Sequence, residues 1–238
     1  MRCDPGPNGG VGDLSASAAT DASGRRAPTW QGKRSEPTRL LLLRHGQTAL
    51  SVDRRYSGRG NPELTEVGLA QARSAAARLG ARTDIAAVIS SPLHRARATA
   101  GAVADRLGLD VAVDDGFIET DFGSWEGLTF TEAAAQDPDL HARWLSDTGV
   151  ATPGGESFAQ VADRVIAAKD VLLQRYPGQT VLIVSHVTPI KLLLRDALGT
   201  GPELLFRLHL DLASLSIAEF YPDGGSVVRL VNDTGHLG

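Results

Sequence analysis

Residues 40–46 read Leu-Leu-Leu-Leu-Arg-His-Gly, so a short apolar run leads directly into an arginine, a histidine and a glycine. A run of this length that ends near a glycine is typical of a strand buried on both faces of a sheet. Two similar runs, residues 86–89 and 181–184, also end in polar residues. The three runs predict three central strands of one sheet, with order beginning at Thr38.

Patterns typical of helices separate these runs. Residues 66–79 are rich in alanine, and residues 93–107 follow a proline that suits a first helical turn. A third helix is indicated by apolar residues at spacings of three and four, namely Phe158, Val161, Val165, Ala168 and Leu172. A fourth is predicted over residues 189–198. Strands that alternate with helices predict an α/β fold in three layers, with a mostly parallel central sheet flanked by helices.

The two ends of the chain differ in pattern. Alternation over residues 214–217, a Pro-Asp-Gly-Gly turn at 222–225 and the stretch 226–231 predict a hairpin at one edge of the sheet. Residues 1–37 are rich in Gly, Pro, Ser and Ala, and we expect a disordered N-terminal tail because so few large apolar side chains cannot offset the entropy of ordering. Residues 38–238 are predicted to form one domain.

Composition argues against several functional classes. The 238 residues carry a formal net charge of −4, so no overall basic field suggests a nucleic-acid partner. Cys3 is the single cysteine, which excludes an internal disulfide framework and a cysteine metal cluster. No segment approaches the roughly 20 apolar residues of a membrane helix, and the first residues lack the apolar stretch of a signal peptide. We therefore expect a soluble cytoplasmic protein without a membrane partner.

Residues suited to phosphate chemistry follow each apolar run. Arg44 and His45 follow the first run, Arg95 lies one helical turn beyond the second, and His186 follows the third. Because open α/β sheets place ligand sites at the carboxyl ends of their strands, we expect these side chains to converge. Guanidinium groups match phosphate oxygens, and histidine can act as nucleophile, cation or proton carrier. Each residue alone is more often structural, but together they predict phosphoryl transfer without a metal or other cofactor.

Residues 118–127 form a glycine-punctuated segment with three carboxylates. One carboxylic acid beside a phosphate can protonate the leaving alkoxide and later deprotonate water. Spacing alone leaves Glu119, Asp121 and Glu126 as alternatives for this role, and a loop surface charge is the simpler alternative for each.

Five motifs, in this order, resemble those of the histidine phosphatase superfamily, which includes the phosphoglycerate mutases. They are residues 41–48 (LLLRHGQT), 61–68 (NPELTEVG), 90–96 (SSPLHRA), 119–127 (ETDFGSWEG), and 153–157 (PGGES) with 184–186 (VSH). The resemblance extends over nearly all of residues 38–238 and implies a phosphoglycerate mutase-like fold. It is strongest to the acid phosphatase domain of actinobacterial bifunctional ribonuclease H/acid phosphatase proteins, which looks in turn like α-ribazole phosphatase. The residues before Thr38 are too few for a ribonuclease H domain, so we expect no nuclease activity.

The resemblance implies a catalytic role for five residues. His45 would be the nucleophile that forms a phosphohistidine, while Arg44, Arg95 and His186 would bind the phosphoryl oxygens. Glu119 would be the general acid and base, which chooses among the three carboxylates of its loop.

The resemblance also implies further substrate-binding positions. Ser57 aligns with a small hydroxyl residue that contacts phosphate in relatives, and Gln47 and the backbone N–H of Val187 would line the same pocket. Ser51 stands where many relatives have Asn, and Val187 where many have Gly. These two departures put the choice of substrate in doubt.

The predicted function is that of a metal-independent acid phosphatase with a small phosphorylated metabolite as its partner, α-ribazole 5′-phosphate being one candidate. The loop after Glu119 lacks the basic residues usual in mutases, which favours hydrolysis over the alternative of a phosphoglycerate mutase-type isomerase. A non-catalytic phospholigand-binding protein is the second alternative.

Several features have two interpretations. Trp125 and Trp144 form either a substrate-binding wall or the buried part of a capping subdomain over residues 121–153. The leucine-rich residues 204–212 and the hairpin edge offer a homodimer interface, and core packing explains them equally. We expect structural roles for the remaining histidines, His94, His141, His209 and His236.

Overall fold

Six strands form a single sheet in the computed structural model of this protein, which describes residues 36–238. They are β1 (Thr38–Arg44), β2 (Ile85–Ser90), β3 (Val111–Val113), β4 (Thr180–Ser185), β5 (Leu215–Phe220) and β6 (Ser226–Asp233). The order across the sheet is β3-β2-β4-β1-β5-β6. The first four of these strands run parallel, β5 is antiparallel to β1, and β6 is antiparallel to β5. The predicted mostly parallel sheet with a hairpin at one edge is therefore confirmed.

Eight helices accompany the sheet in the described part of the chain. They are α1 (Ala49–Val52), α2 (Glu66–Leu79), α3 (His94–Leu107), α4 (Phe130–Gln136), α5 (Pro138–Trp144), α6 (Phe158–Arg175), α7 (Val187–Leu198) and α8 (Leu204–Arg207). The alternating directions of side chains on β1 divide the core into two halves. Leu41 and Leu43 belong to the half that includes α2 and α3, whereas Leu40 and Leu42 belong to the half that includes α6 and α7. This arrangement gives the predicted three layers and explains why the run of leucines has no polar member.

The differences from the predicted elements have local causes. Helix α7 begins at Val187 rather than at residue 189. Strand β3 was not predicted, because it has three residues of which two are exposed. The short helices α1 and α4 each begin with a capping box, a signal that apolar periodicity does not detect. Of the predicted tail, residues 1–35 lie outside the described residues, so both the tail and the domain boundary stay predictions.

The segment after residue 121 packs through its aromatic side chains. Trp125 and Trp144 are buried, with ring centroids 5.6 Å apart, and both contact the Tyr56 ring. The Tyr56 hydroxyl is hydrogen-bonded to Nε2 of His141 at 2.9 Å. Burial in this cluster, rather than exposure on a substrate-binding wall, therefore explains both tryptophans.

Core packing also accounts for part of the leucine-rich stretch. Leu205 and Leu210 are buried in the core half that includes α6 and α7. The homodimer is untested by this packing and stays a prediction. Within residues 36–238, no helix has the length and apolar character needed to cross a membrane.

Two glycines allow the loop after β1 to lie directly on the first turn of α2. A Cβ atom at Gly68 would stand 2.1 Å from the carbonyl oxygen of Gln47, and one at Gly46 would stand 2.5 Å from the carbonyl oxygen of Gly68. Both clashes are with backbone, which cannot move away cheaply. The contact fixes the position of the residues that follow His45.

We predict that Gly68→Ala destabilises the protein by roughly 2 kcal/mol, because the added methyl group overpacks this contact. Gly101→Ala is the matched control within α3, where an added Cβ meets no atom within 4 Å. The control should stabilise the protein by about 0.5–1 kcal/mol through helix propensity. Urea unfolding measures both, and equal effects of the two substitutions would contradict the prediction.

Candidate active site

The pairing of β1 and β2 with β4 brings the ends of the three strands to one place. Arg44 is opposite Ser185 in the register of β1 and β4, and the His45 N–H donates to the Ser185 carbonyl at 3.0 Å. On the other side of β4, the Ser91 N–H donates to the Val184 carbonyl at 3.0 Å. As a result, the rings of His45 and His186 lie with their centroids 5.0 Å apart.

His45 has a defined tautomer. Its Nδ1 lies 2.7 Å from the carbonyl oxygen of Gly46, and because a carbonyl oxygen only accepts, Nδ1 carries the proton. The lone pair of the neutral ring is then on Nε2. Burial, together with the positive charges of Arg95 and Arg44, holds the pKa of His45 well below its ordinary value. The ring is therefore a neutral nitrogen base at neutral pH.

Arg95 is fully buried and is enclosed by the backbone of residues 57–60. Its Nη1 donates to the Gly60 carbonyl at 2.8 Å, and its Nη2 donates to the Ser57 and Gly58 carbonyls at 3.0 Å each. Burial lowers the pKa of Arg95 below its ordinary value, and the negative charges of Glu119 and Glu126 oppose this shift only in part. These bonds fix the orientation of the guanidinium group beside the two histidines.

Arg44 is the second guanidinium group of the site. Its Nη1 donates to the Leu210 carbonyl at 2.6 Å. Burial lowers its pKa to about 10, against the opposing effect of Glu119 and Asp211. Arg44 therefore remains a cation at neutral pH.

His186 precedes the first turn of α7. Its Nε2 lies 2.7 Å from the Ser91 hydroxyl. Burial is the main cause that holds the pKa of His186 well below its ordinary value, and the positive charge of Arg95 adds to this effect. Val187 is the first residue of α7, so its N–H belongs to the helix terminus, where peptide N–H groups favour an anion.

Glu119 is almost completely buried, at 5% exposure. Its Oε1 accepts from the Thr120 N–H at 2.8 Å, and its Oε2 accepts a long bond from the Thr188 N–H at 3.4 Å. The second contact joins the acidic loop to the first turn of α7. Of the three carboxylates that spacing left open, this one is directly linked to the segment that carries His186.

The other two carboxylates of the loop are engaged elsewhere. Asp121 accepts from the Gly123 N–H at 2.9 Å, and its carboxylate lies 3.9 Å from Arg59. Glu126 accepts from the backbone N–H groups of residues 58 and 60. Both therefore contribute to loop structure.

Arg164 on α6 is a residue that the sequence analysis missed. Its Nη2 donates to the Glu119 carbonyl at 2.9 Å, and its Nη1 donates to the Gly116 and Ile118 carbonyls at 3.0 and 2.7 Å. The sequence feature that could have identified Arg164 is its position directly before Val165, a residue of α6 that faces the core. Arg164 fixes the backbone that carries the Glu119 side chain.

The remaining predicted positions differ in their engagement. The Gln47 side-chain oxygen accepts from the Thr65 hydroxyl at 2.8 Å, while the buried Ser57 hydroxyl has no hydrogen-bond partner. The Ser51 hydroxyl donates to the Thr48 carbonyl at 2.7 Å and closes the cap of α1. Ser51 therefore stabilises the loop after His45 through local bonds.

Four buried polar atoms of the site lack a protein partner. Six buried side-chain nitrogen or oxygen atoms without a hydrogen bond occur in residues 36–238, and four of them are Arg44 Nε, Ser57 Oγ, Arg95 Nε and His186 Nδ1. Buried polar groups are rarely left unpaired, because each costs desolvation free energy. They are concentrated among the predicted phosphate-binding residues, where the Nε–H groups of both arginines can donate to the oxygen atoms of an anion. The described residues contain no group of three or more His, Cys, Asp or Glu side chains placed to hold a metal ion.

The two site histidines should make stability depend on pH. Their folded pKa values lie below the unfolded value, so the unfolded chain binds protons first as the pH falls below about 6.5. We predict that the free energy of unfolding falls as the pH is lowered from 7 to 5, with a slope that approaches about 1.4 kcal/mol per pH unit for each such imidazole once the pH is below the unfolded pKa.

Urea unfolding at several pH values measures this dependence. His186→Asn should reduce the slope, because it removes one of the two shifted groups. Equal slopes for the wild type and His186→Asn would contradict the prediction.

The chain is similar in sequence to a known family of proteins. The model of the histidine phosphatase superfamily (branch 1) matches residues 40–233. The bifunctional protein Rv2228c of Mycobacterium tuberculosis (strain ATCC 25618 / H37Rv) is 64% identical over 211 residues, which cover 89% of this chain and 58% of that protein. The chain thus spans less than two thirds of the length of this curated relative.

Solved structures extend the similarity to the fold. The mycobacterial glucosyl-3-phosphoglycerate phosphatase Rv2419c with VO3 is 32% identical, with a TM-score of 0.76 over 83% of this chain and 100% of that chain. The α-ribazole phosphatase from Shigella flexneri is 30% identical, with a TM-score of 0.73 over 82% of this chain and 96% of that chain. The family match extends from the third residue of β1 to the end of β6, and on that basis the chain belongs to the histidine phosphatase superfamily.

Proposed function

We propose that this domain is a metal-independent phosphomonoesterase that acts through a phosphohistidine at His45. The observation that carries the proposal is the set of buried, unpaired polar atoms on Arg44, Ser57, Arg95 and His186. A tetrahedral phosphoryl group presents oxygen acceptors in several directions, and the permanent charges of two guanidinium groups match a dianion.

In the first step, the lone pair on Nε2 of His45 attacks phosphorus in line with the ester oxygen. The new N–P bond forms as the P–O bond breaks, and a protonated Glu119 transfers its proton to the leaving alkoxide. Arg44 and Arg95 offset the charge on the phosphoryl oxygens in the transition state. The products of this step are the free alcohol and a phosphorylated imidazole.

In the second step, water attacks the phosphohistidine. The Glu119 carboxylate accepts a proton from the water while the new P–O bond forms and the N–P bond breaks. Inorganic phosphate leaves, and His45 returns to the neutral form with its proton on Nδ1. Splitting the displacement in this way replaces one difficult step by two easier ones.

Hydrolysis suits the acidic loop better than transfer back to a product. The residues after Glu119 are Thr120, Asp121 and Phe122, so the loop offers a further acid and no base to hold a bisphosphate. The proposed partner is a small phosphorylated metabolite. Similarity to the α-ribazole phosphatase supports α-ribazole 5′-phosphate as one candidate, and similarity to the glucosyl-3-phosphoglycerate phosphatase supports glucosyl-3-phosphoglycerate as another. The cytoplasmic location and the absence of a nucleic-acid partner stay predictions.

We predict that His45→Ala lowers hydrolysis of p-nitrophenyl phosphate at mildly acidic pH by at least about a thousand-fold, because the nucleophile is removed. Glu119→Gln should slow both steps, and the wild type should yield an acid-labile phosphoprotein when quenched during turnover. His94→Ala, which changes an exposed residue of α3, is the matched control and should retain activity. Full activity in His45→Ala would refute the mechanism.

We also predict that hydrolysis is unchanged after dialysis against EDTA, because arginine charges rather than a metal ion neutralise the phosphoryl group. Initial rates before and after chelation measure this. Loss of activity that Mg²⁺ or Zn²⁺ restores would contradict the metal-independent mechanism. Rapid isomerisation of 3-phosphoglycerate in the presence of a bisphosphate primer would instead favour a mutase.

A further inference from the structure

The backbone of residues 57–60, which we call the clamp loop, is bound from two sides by opposite charges. On one side, the guanidinium group of Arg95 donates to three carbonyl oxygens of the loop. On the other side, the Glu126 carboxylate accepts from the Gly58 N–H at 2.8 and 3.1 Å and from the Gly60 N–H at 3.0 Å. The peptide groups of the loop therefore connect a carboxylate to the cation that faces the site.

We infer that Glu126 is a positioning residue for phosphate binding, acting through the clamp loop on Arg95 and on the Ser57 hydroxyl. The inference rests on the proposed function only for the statement that these two groups bind the phosphoryl oxygens. Glu126 itself is separated from the site by the loop, so its role is to hold the groups that touch the substrate.

The first physical reason is geometric. Arg95 has a long side chain, and its orientation depends on the three carbonyl oxygens that it binds. Those oxygens keep their places only if the loop keeps its conformation, and two of its N–H groups are fixed by one carboxylate. Hydrogen bonds to an ionised acceptor are shorter and stronger than neutral ones.

The second reason is the close approach that two glycines permit. A Cβ atom at Gly60 would lie 2.5 Å from Oε1 of Glu126, and one at Gly58 would lie 2.3 Å from the Thr120 carbonyl oxygen. A larger residue at position 58 would push the clamp loop away from the backbone of Thr120, and one at position 60 would displace the Glu126 carboxylate. The glycines are therefore explained by the contact with Glu126 and its segment.

The third reason is that residues 119–127 contribute both to proton transfer and to phosphate binding in the proposed function. Glu119 at one end of the segment is the proposed proton donor, and Glu126 near the other end holds the clamp loop. The negative charge of Glu126 also acts on Arg95 and raises the pKa that burial lowers. One segment thus contains the proposed proton donor and holds the loop that binds Arg95.

Glu126→Gln tests this role, since it keeps the shape of the side chain while replacing an acceptor oxygen with an NH₂ group. We expect KM for p-nitrophenyl phosphate and Ki for inorganic phosphate to rise at least about ten-fold, since both report binding by Arg95. Glu132→Gln is the matched control, because Glu132 also accepts from a backbone N–H at 2.8 Å and from an arginine at 2.9 Å, but in the capping box of α4. The control should lower the melting temperature without changing Ki.

A purely structural role has a different outcome. If Glu126→Gln lowers kcat in proportion to the folded fraction and leaves KM and Ki unchanged, the inference is wrong. In Gly60→Ala the added Cβ would lie 2.5 Å from Oε1 of Glu126 and would displace the carboxylate, so this variant should reproduce the rise in Ki. In a double-mutant cycle, Glu126→Gln should add less than about three-fold to the effect of Arg95→Lys, because both act through one group. Full additivity of the two effects would also overturn it.

A readout without catalysis separates this inference from the proposed function. The buried guanidinium N–H signals of Arg95, assigned by their loss in Arg95→Lys, should be resolved in the ¹⁵N NMR spectrum of the wild type. They should broaden or shift in Glu126→Gln and remain in Glu132→Gln. An inactive wild type with this NMR response would refute the phosphatase but support the positioning role. An active wild type whose Arg95 signals are unchanged in Glu126→Gln would support the phosphatase but refute the positioning role.

Discussion

The parallel pairing of β1 with β4 brings the two site histidines together. Its register places Arg44 opposite Ser185, so the residues that follow both strands emerge side by side, and His45 bonds to the backbone of Ser185. Both strands are enclosed on both faces, which makes a shift of register costly, because a shift of one residue would exchange the two halves of the core. The register of these two buried strands therefore fixes the spacing of the imidazole rings.

Burial then sets the electrostatics of the site. Two guanidinium groups lie beside two imidazoles in a region from which water is largely excluded, and both histidines are held neutral by burial and by these cations. In the proposed function, a phosphoryl dianion would balance the charge of the two guanidinium groups and accept hydrogen bonds from them. The unpaired polar atoms cost stability in the free protein, and under the proposed function the same groups would need little reorganisation when a substrate binds.

Two loops at the site are organised in the same way. The Arg95 guanidinium group donates hydrogen bonds to three carbonyl oxygens of the clamp loop. The Arg164 guanidinium group likewise donates to three carbonyl oxygens of residues 116–119. A planar group with five donors can satisfy several carbonyls that no secondary structure would pair. These hydrogen bonds restrain loops without regular structure, including those that position the proposed proton donor Glu119 and the proposed phosphate-binding Arg95.

The apolar runs and helical periodicities were enough to predict the three-layer α/β fold, because a strand buried on both faces and an amphipathic helix each leave a local pattern in the chain. The motif order likewise identified His45, Arg44, Arg95, Glu119 and His186 as candidate site residues. Residue spacing could not choose among Glu119, Asp121 and Glu126, nor find Arg164. Those features depend on hydrogen bonds between segments far apart in the chain, such as Arg164 with Glu119 and Glu126 with Gly58. Such bonds exist only once packing has brought the segments together, so they leave no periodic trace in the order of the amino acids.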